Sequence, residues 1–242
     1  MSIKSAKSPP GFTLLLVFVM LVLGHGSHLL AADSSKVSAA HGPGFGAWLN
    51  NRRSRVVPFR ALAIGPRFQT AVIDSKTSIN LDRKLGMLTV LERDQTPWRQ
   101  NLSAIRPWKL ETANVVGDGH REIVLGVYKK NRFFPYLHAG LYIYAWINRT
   151  LAPIWRGSNL SEPFIDFAFV PEPHADILAA VEIKASGRRC LATYRWQNFG
   201  FVRETRSGDW KRAKIDSVKN GVIVVHADGR KISLPIGTNK CA

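Results

Sequence analysis

The residues best placed to do chemistry lie in the stretch ANVVGDGHREIVLGVY, residues 113–128. Asn114, Asp118 and Glu122 bring side-chain oxygens, and His120 brings a carbonyl. Gly117 and Gly119 supply the positive-φ freedom of a tight turn, and an apolar run follows. The pattern looks like a calcium loop leading into a buried strand, with one expected carboxylate missing. A second chemistry is zinc ligation, because His120-Arg121-Glu122 recurs as His174-Ala175-Asp176. Zinc needs three or four converging ligands, and each tripeptide offers two. Asp166 and Glu182 carry carboxylates of the kind used in general acid–base work. The simpler expectation is that Asp166 bonds backbone at a strand start and that Glu182 faces solvent. No nucleophile elbow, H-E-x-x-H, phosphate loop or C-x-x-C pair is present. The chain therefore reads as a binding protein before it reads as an enzyme.

The elements that must position these residues are short strands. LTVLE, REIVLGVY, GLYIYAWI, DFAFV, DILAAVEI, CLATYRW, GVIVVHA and KISLPI are rich in Val, Ile, Leu and Tyr and are separated by Gly, Pro, Asn and Asp. No long amphipathic helix is predicted beyond residue 59. The strands repeat. GLYIYAWIN from Gly140 matches CLATYRWQN from Cys190, so that Tyr144 falls on Tyr194 and Trp146 on Trp196. GDGHREIVLG aligns with PEPHADILAA, placing Ile123 on Ile177, and RPWKLETANVV echoes EPFIDFAFV through Pro107 and Pro163. A unit of about fifty residues built from short strands suits a four-stranded propeller blade. The predicted fold is all-β, a small β-propeller-like array of about four blades over residues 59–237, with degenerate first and last units and a tail at 238–242. Trp98, Trp108, Trp146, Trp155, Trp196 and Trp210 recur with the units and are expected to pack between blades.

Over about residues 85–205 the units resemble the FG-GAP or VCBS-type repeat family of β-propellers. Asn114, Gly117, Asp118, Gly119, Glu122 and Gly126 fall on its loop-and-strand pattern. The resemblance implies a binding, adhesion or assembly scaffold. It also implies a calcium loop in which Asn114, Asp118 and Glu122 supply side-chain oxygens and His120 a carbonyl. Val116 stands at the third ligand position and cannot coordinate, whereas calcium takes six to eight oxygens. In the second copy Ala168 and Val170 replace two ligands. The first loop is expected to keep its turn without metal, with Asp118 accepting hydrogen bonds from loop amides.

The N-terminus and the charge bear on compartment and partner. Lys4 and Lys7 precede the unbroken apolar run from Phe12 to Gly24. That run is shorter than the ~20 residues that span a bilayer and suits a signal-peptide core. Residues 1–32 read as a signal peptide cleaved near Ala31 or Ala32, with an uncleaved anchor as the alternative. Residues 33–58 read as a flexible basic arm. Gly11-Phe12-Thr13-Leu14 resembles a prepilin processing site, but Leu16 stands where that family carries Glu. Loss of Lys4 and Lys7 takes the formal charge from +17 to +15. An exported chain of that charge points to an anionic envelope polymer, glycan or lipid surface, or to another envelope protein, and away from nucleic acid. The loop bearing Lys129, Lys130, Arg132, Phe133 and Phe134 is the first expectation for a ligand-contacting surface. In an oxidising compartment Cys190 and Cys241 could pair. The reading is an exported, non-catalytic binding or scaffold module of the cell envelope, periplasmic, at the cell surface or secreted. Its alternatives are an envelope hydrolase with a cleft at the propeller mouth and a pilin-like assembly subunit.

Overall fold

The computed structural model describes residues 57–130, 136–156 and 160–236. Four antiparallel sheets follow one another along the chain. The first holds β1 (Phe68–Val72), β2 (Thr77–Asp82), β3 (Met87–Glu92) and β4 (Trp98–Asn101). The second holds β5 (Lys109–Ala113), β6 (Glu122–Lys129), β7 (His138–Ile147) and β8 (Thr150–Arg156). The third holds β9 (Phe164–Val170), β10 (Ile177–Ile183), β11 (Arg189–Gln197) and β12 (Gly200–Trp210). The last has three strands among the described residues, β13 (Ala213–Lys219), β14 (Val222–Ala227) and β15 (Arg230–Pro235). Each sheet is an up-and-down meander, and β1, β5, β9 and β13 stand side by side on the inside. This is a four-bladed β-propeller, as the repeating units predict.

Burial explains which strands form which blade walls. β9 is buried at every position and β10 at all but its last, because neighbouring blades cover both of their faces; such strands read as continuous apolar runs. One buried cluster, with Ile79, Leu81, Leu88, Ile123 and Leu125, joins the first two blades. A larger one, with Trp108, Ile143, Phe167, Leu178, Tyr194 and Val225, joins the second, third and fourth. Gly126 belongs to the close approach at its centre. A Cβ there would lie 2.7 Å from the Trp108 ring and 2.8 Å from Phe167.

Blades two and three repeat closely. Tyr144 on β7 and Tyr194 on β11 each follow a register shift against the outer strand. Trp146 pairs with Leu151 and Trp196 with Phe201 in hairpins of equal length. Each of these tryptophans packs edge-on against an outer-strand tryptophan of the preceding blade, Trp146 on Trp98 at 5.1 Å and Trp196 on Trp155 at 6.3 Å. The between-blade role expected of the aromatics holds at these positions. One detail of the alignment is corrected. Tyr144 lies opposite Ile123, whereas Tyr194 lies opposite Leu178, so Ile123 corresponds to Leu178 and not to Ile177. The cause is loop length: residues 114–121 join β5 to β6, and the shorter run 171–176 joins β9 to β10. The Asn220-Gly221 and Asp228-Gly229 turns have positive φ at all four residues, from 47° to 84°, as hairpin turns of the primed type require.

Candidate functional site

Three side chains fasten the inner strands to one another. Gln69 on β1 accepts from the amide of Leu110 at 2.7 Å, Glu111 on β5 from Phe169 at 3.1 Å, and Asp166 on β9 from Ile215 at 2.8 Å. Each of the first three blades thus captures an amide of the next. Lys109 completes the arrangement. Its Nζ lies 3.1 Å from Glu111 and 2.9 Å from Asp166, donates to the Phe167 carbonyl, and sits over the Phe167 ring. Burial opposes the Lys109 charge, but Glu111 and Asp166 outweigh it and raise its pKa. Burial pushes the Glu111 carboxyl upward, with Lys109 opposing. Beside these groups is a cavity of about 500 Å³, lined among others by Ile64, Pro66, Phe68, Lys214 and Ile215.

The axial groups are mechanical in their bonding. The three protons of the Lys109 ammonium go to Glu111, Asp166 and the Phe167 carbonyl. Asp166 accepts from Lys109, Ile215 and its neighbour Phe167, which meets the expectation that it bonds backbone. Glu182 departs from expectation. Its side chain is fully buried instead of facing solvent, because it sits on the inward face of β10 beneath Tyr194. The Tyr194 hydroxyl and the Glu162 amide donate to it, and Arg203 and Arg206 approach to 3.6 and 3.5 Å. Burial raises the Glu182 carboxyl despite these partners. Both carboxylates are engaged by protein groups, and Asp166 together with Lys109 also lines the cavity.

The 114–121 loop is a self-bonded turn. Asn114 Oδ1 accepts from Gly117 and Gly119 at 3.0 and 3.3 Å, and Asp118 Oδ1 from His120 at 2.9 Å. Glu122 Oε2 turns inward onto the Val115 amide at 2.6 Å, and its carboxyl is raised chiefly by burial. Val116 points outward, 37 % exposed. With these oxygens directed at amides and Glu122 buried, the residues do not fit a calcium cage of six to eight oxygens. Asp118 bonds a loop amide as expected. The neighbouring blade shares the turn: Asn114 Nδ2 donates to the His174 carbonyl at 2.8 Å, and Asp176 accepts from the Asn114 amide at 3.0 Å. Asn114 of the first loop and His174 and Asp176 of the second tripeptide therefore form a clasp between blades, whereas His120, Arg121 and Glu122 bond within their own blade. No group of three His, Cys, Asp or Glu converges as a metal site among the described residues.

Of the expected contact loop, Lys129 lies over the Tyr142 ring at 5.6 Å and Lys130 is exposed. Arg132, Phe133 and Phe134 lie outside the described residues. Cys190 is buried on β11, and Cys241 lies outside the described residues.

What the sequence reading missed is the distribution of charge between the two ends of the ring. In an up-and-down blade, connections alternate between ends. The first-to-second and third-to-fourth strand turns gather at one end, here called distal. The second-to-third strand turns and the links between blades gather at the other, here called proximal. The described proximal connections carry Arg67, Arg83 and Lys84 in the first blade, and Arg106 and Lys130 around the second. They also carry Lys184 and Arg188 in the third, and Lys211 and Arg212 leading into the fourth. Their only acids are Glu162 and Asp228. The distal connections hold Lys76, Arg93, Arg121 and Arg149 against Asp74, Asp94, Asp118, Glu172 and Asp176.

Asp228 in a connection, with Asp82 and Asp209 at the adjoining strand ends, shapes that surface. Asp82 at the end of β2 takes both Arg67 nitrogens and the amides of Lys84 and Leu85. Arg67 above all lowers its carboxyl to about 2. Asp228 accepts from the Lys211 and Arg212 amides, which lower its carboxyl, and so holds both basic residues at the surface. Asp209 pairs with Lys184 and Arg188. Arg83, Lys84, Arg106, Lys130, Lys211 and Arg212 form no ion pair among the described residues. Short basic turns such as Asp82-Arg83-Lys84-Leu85-Gly86 were the available signal, but the topology had to be known before they could be seen to share one end.

No family model and no curated protein matches the chain. A solved structure, described as that of a Xanthomonas type IV secretion system related protein, is similar at 12% identity and a TM-score of 0.32. The match covers 72% of this chain and 97% of that one. No helix among the described residues is long and apolar enough to cross a membrane.

Proposed function

We propose that the protein is an exported, non-catalytic binding module of the cell envelope that docks polyanionic partners on the proximal end of its propeller. The observation that carries this reading is the asymmetry of charge. Basic residues from every blade gather at one end, and the acids there are engaged in fixing the turns. Such a surface raises the local concentration of an anionic partner and orients its approach. Export rests on the Lys4, Lys7 and Phe12–Gly24 pattern. The resemblance of the 114–126 segment to FG-GAP or VCBS-type repeats fits the same scaffold role.

The test is calorimetric titration of the full chain with inorganic polyphosphate from about 50 to 300 mM salt. Affinity is expected to fall steeply as salt rises, because binding releases counterions. Lys84→Glu, Lys211→Glu and Arg212→Glu together should abolish it, whereas Lys76→Glu at the distal end should leave it intact. Absence of binding at low salt, or equal loss from the distal variant, would overturn the reading.

A further inference from the structure

Resting on that reading, we infer that the proximal end docks on one particular polyanion, the surface of an anionic lipid bilayer. The argument begins with two apolar side chains that the charge alone does not explain. Leu85 is 56 % exposed at the tip of the β2–β3 turn, directly after Lys84. Phe68 is 64 % exposed at the start of β1, with the Arg67 guanidinium 4.6 Å from its ring centroid. Both belong to the same corner, because Phe68 pairs with Asp82 and the Arg83 amide donates to the Arg67 carbonyl.

The corner is built to stay in that shape. Asp82 accepts the Lys84 and Leu85 amides at 2.9 and 3.3 Å, and Arg83 donates to the Gly65 and Pro66 carbonyls at 2.5 and 2.7 Å. A soluble polyanion such as a phosphate or sulfate polymer offers nothing to Leu85. A bilayer offers phosphate to Lys84 and, just below, acyl chain to Leu85. Basic residues beside apolar ones are what interfacial binding requires, since one weak anchor is marginal and two kinds together hold. The geometry of the ring adds to this. The bases come from all four blades at one end, which suits an extended surface. Each basic residue near an anionic leaflet adds about a fivefold gain in affinity.

The test uses the full chain and vesicles of phosphatidylcholine, with or without about one third phosphatidylglycerol, in co-sedimentation at physiological ionic strength. Binding to pure phosphatidylcholine reports what the N-terminal apolar segment contributes, so the readout is the ratio between the two compositions. The ratio should be at least tenfold in the native chain. Lys84→Glu should lower it by about fivefold or more. Leu85→Ser should weaken binding to the anionic vesicles by about fourfold for each methylene-sized group withdrawn from lipid, with polyphosphate affinity unchanged. Phe199→Ser is the matched control, since Phe199 is 92 % exposed in the β11–β12 turn at the distal end; it should change neither. Polyphosphate binding without preference for anionic vesicles, or a Leu85→Ser chain indistinguishable from native, would overturn the lipid assignment and leave the proposed function standing. Loss of both activities in the native chain would remove both.

Discussion

At the distal end of the propeller, charged side chains turn back onto the protein. Arg149 reaches Glu92, Gln95 and the Thr96 carbonyl, Arg121 bonds both oxygens of Thr112, and Asp176 clasps Asn114 of the preceding blade. At the proximal end the acids turn inward in the same way and Arg83 bonds the Gly65 and Pro66 carbonyls, but Lys84, Arg106, Lys130, Lys211 and Arg212 do not follow them. Lys84 and Lys211 stand on turns whose amides are held by Asp82 and Asp228. The same meander therefore makes two different surfaces. One is knitted for cohesion, and the other uses its acids as a frame for outward positive charge. Holding unpaired like charges together costs stability, a cost that the proximal end bears and the distal end does not.

The largest expected effect separates the frame from the charges it supports. Asp166 ties Lys109 to the Ile215 amide inside the ring, and its side chain is 3% exposed. Asp166→Ala leaves Lys109 buried beside Glu111 with one partner removed, and urea unfolding should show a loss of about 3–5 kcal/mol. A loss under 1 kcal/mol would mean that the axial contacts do not hold the blades.

Next in size is the distal clasp. Gly119 has φ of 85°, so Gly119→Val should destabilise by about 1–3 kcal/mol through backbone strain. Asp118→Asn keeps an acceptor for the His120 amide and should stay within about 0.5 kcal/mol. Thermal melts of the two variants check the order. Reversal of that order would show that the Asp118 charge, and with it a cation, matters more than the turn.

These two sites differ in how legible they were. The Gly117-Asp118-Gly119 turn is local, and its bonds span two to five residues, so residue type and spacing sufficed to predict it. The axial bonds from Gln69, Glu111 and Asp166 reach amides 41, 58 and 49 residues away, and no local pattern announces them. The strands divide in the same way. β6, β7, β10 and β11 are enclosed by neighbouring blades and read as apolar runs. β12 (GFVRETRSGDW) is an outer strand exposed along most of its length, and β8 carries Pro153 beside the register shift opposite Tyr144, where an outer strand tolerates it. β12 shows no apolar run, and Pro153 interrupts that of β8. The one-residue slip between Ile123 and Ile177 has a similar origin, because the sequence likeness of the two loops spans a length difference that only strand pairing reveals.

A third prediction sharpens the contrast between the ends at the level of single charges. Lys84→Glu should weaken polyphosphate binding by about fivefold, on the scale of ~1 kcal/mol per surface base near a polyanion. Lys76→Glu should change it by less than twofold. Equal effects would mean that net charge, not its placement, attracts the partner.

The smallest effect is a pH dependence. The buried Glu182 carboxyl is raised, so its contribution to stability is complete below the ordinary carboxyl range and declines as pH rises through its folded value. Asp82, Asp209 and Asp228 are lowered by their donors, so their contributions persist at neutral pH and are lost as pH falls below the ordinary range. Glu182→Gln should therefore gain on the native chain by a few degrees in Tm between pH 4 and pH 8. A difference in Tm that stays constant over that window would contradict the burial of an ionisable Glu182.

The most direct measurement of the central claim is hydrogen exchange of the full chain with and without inorganic polyphosphate, resolved to the turns at each end. Docking on the proximal end predicts new protection at residues 83–86, 184–188, 211–212 and 228–229, and none at residues 114–121 or 171–176. Protection concentrated in the 114–121 and 171–176 turns, or spread equally over both ends, would contradict it.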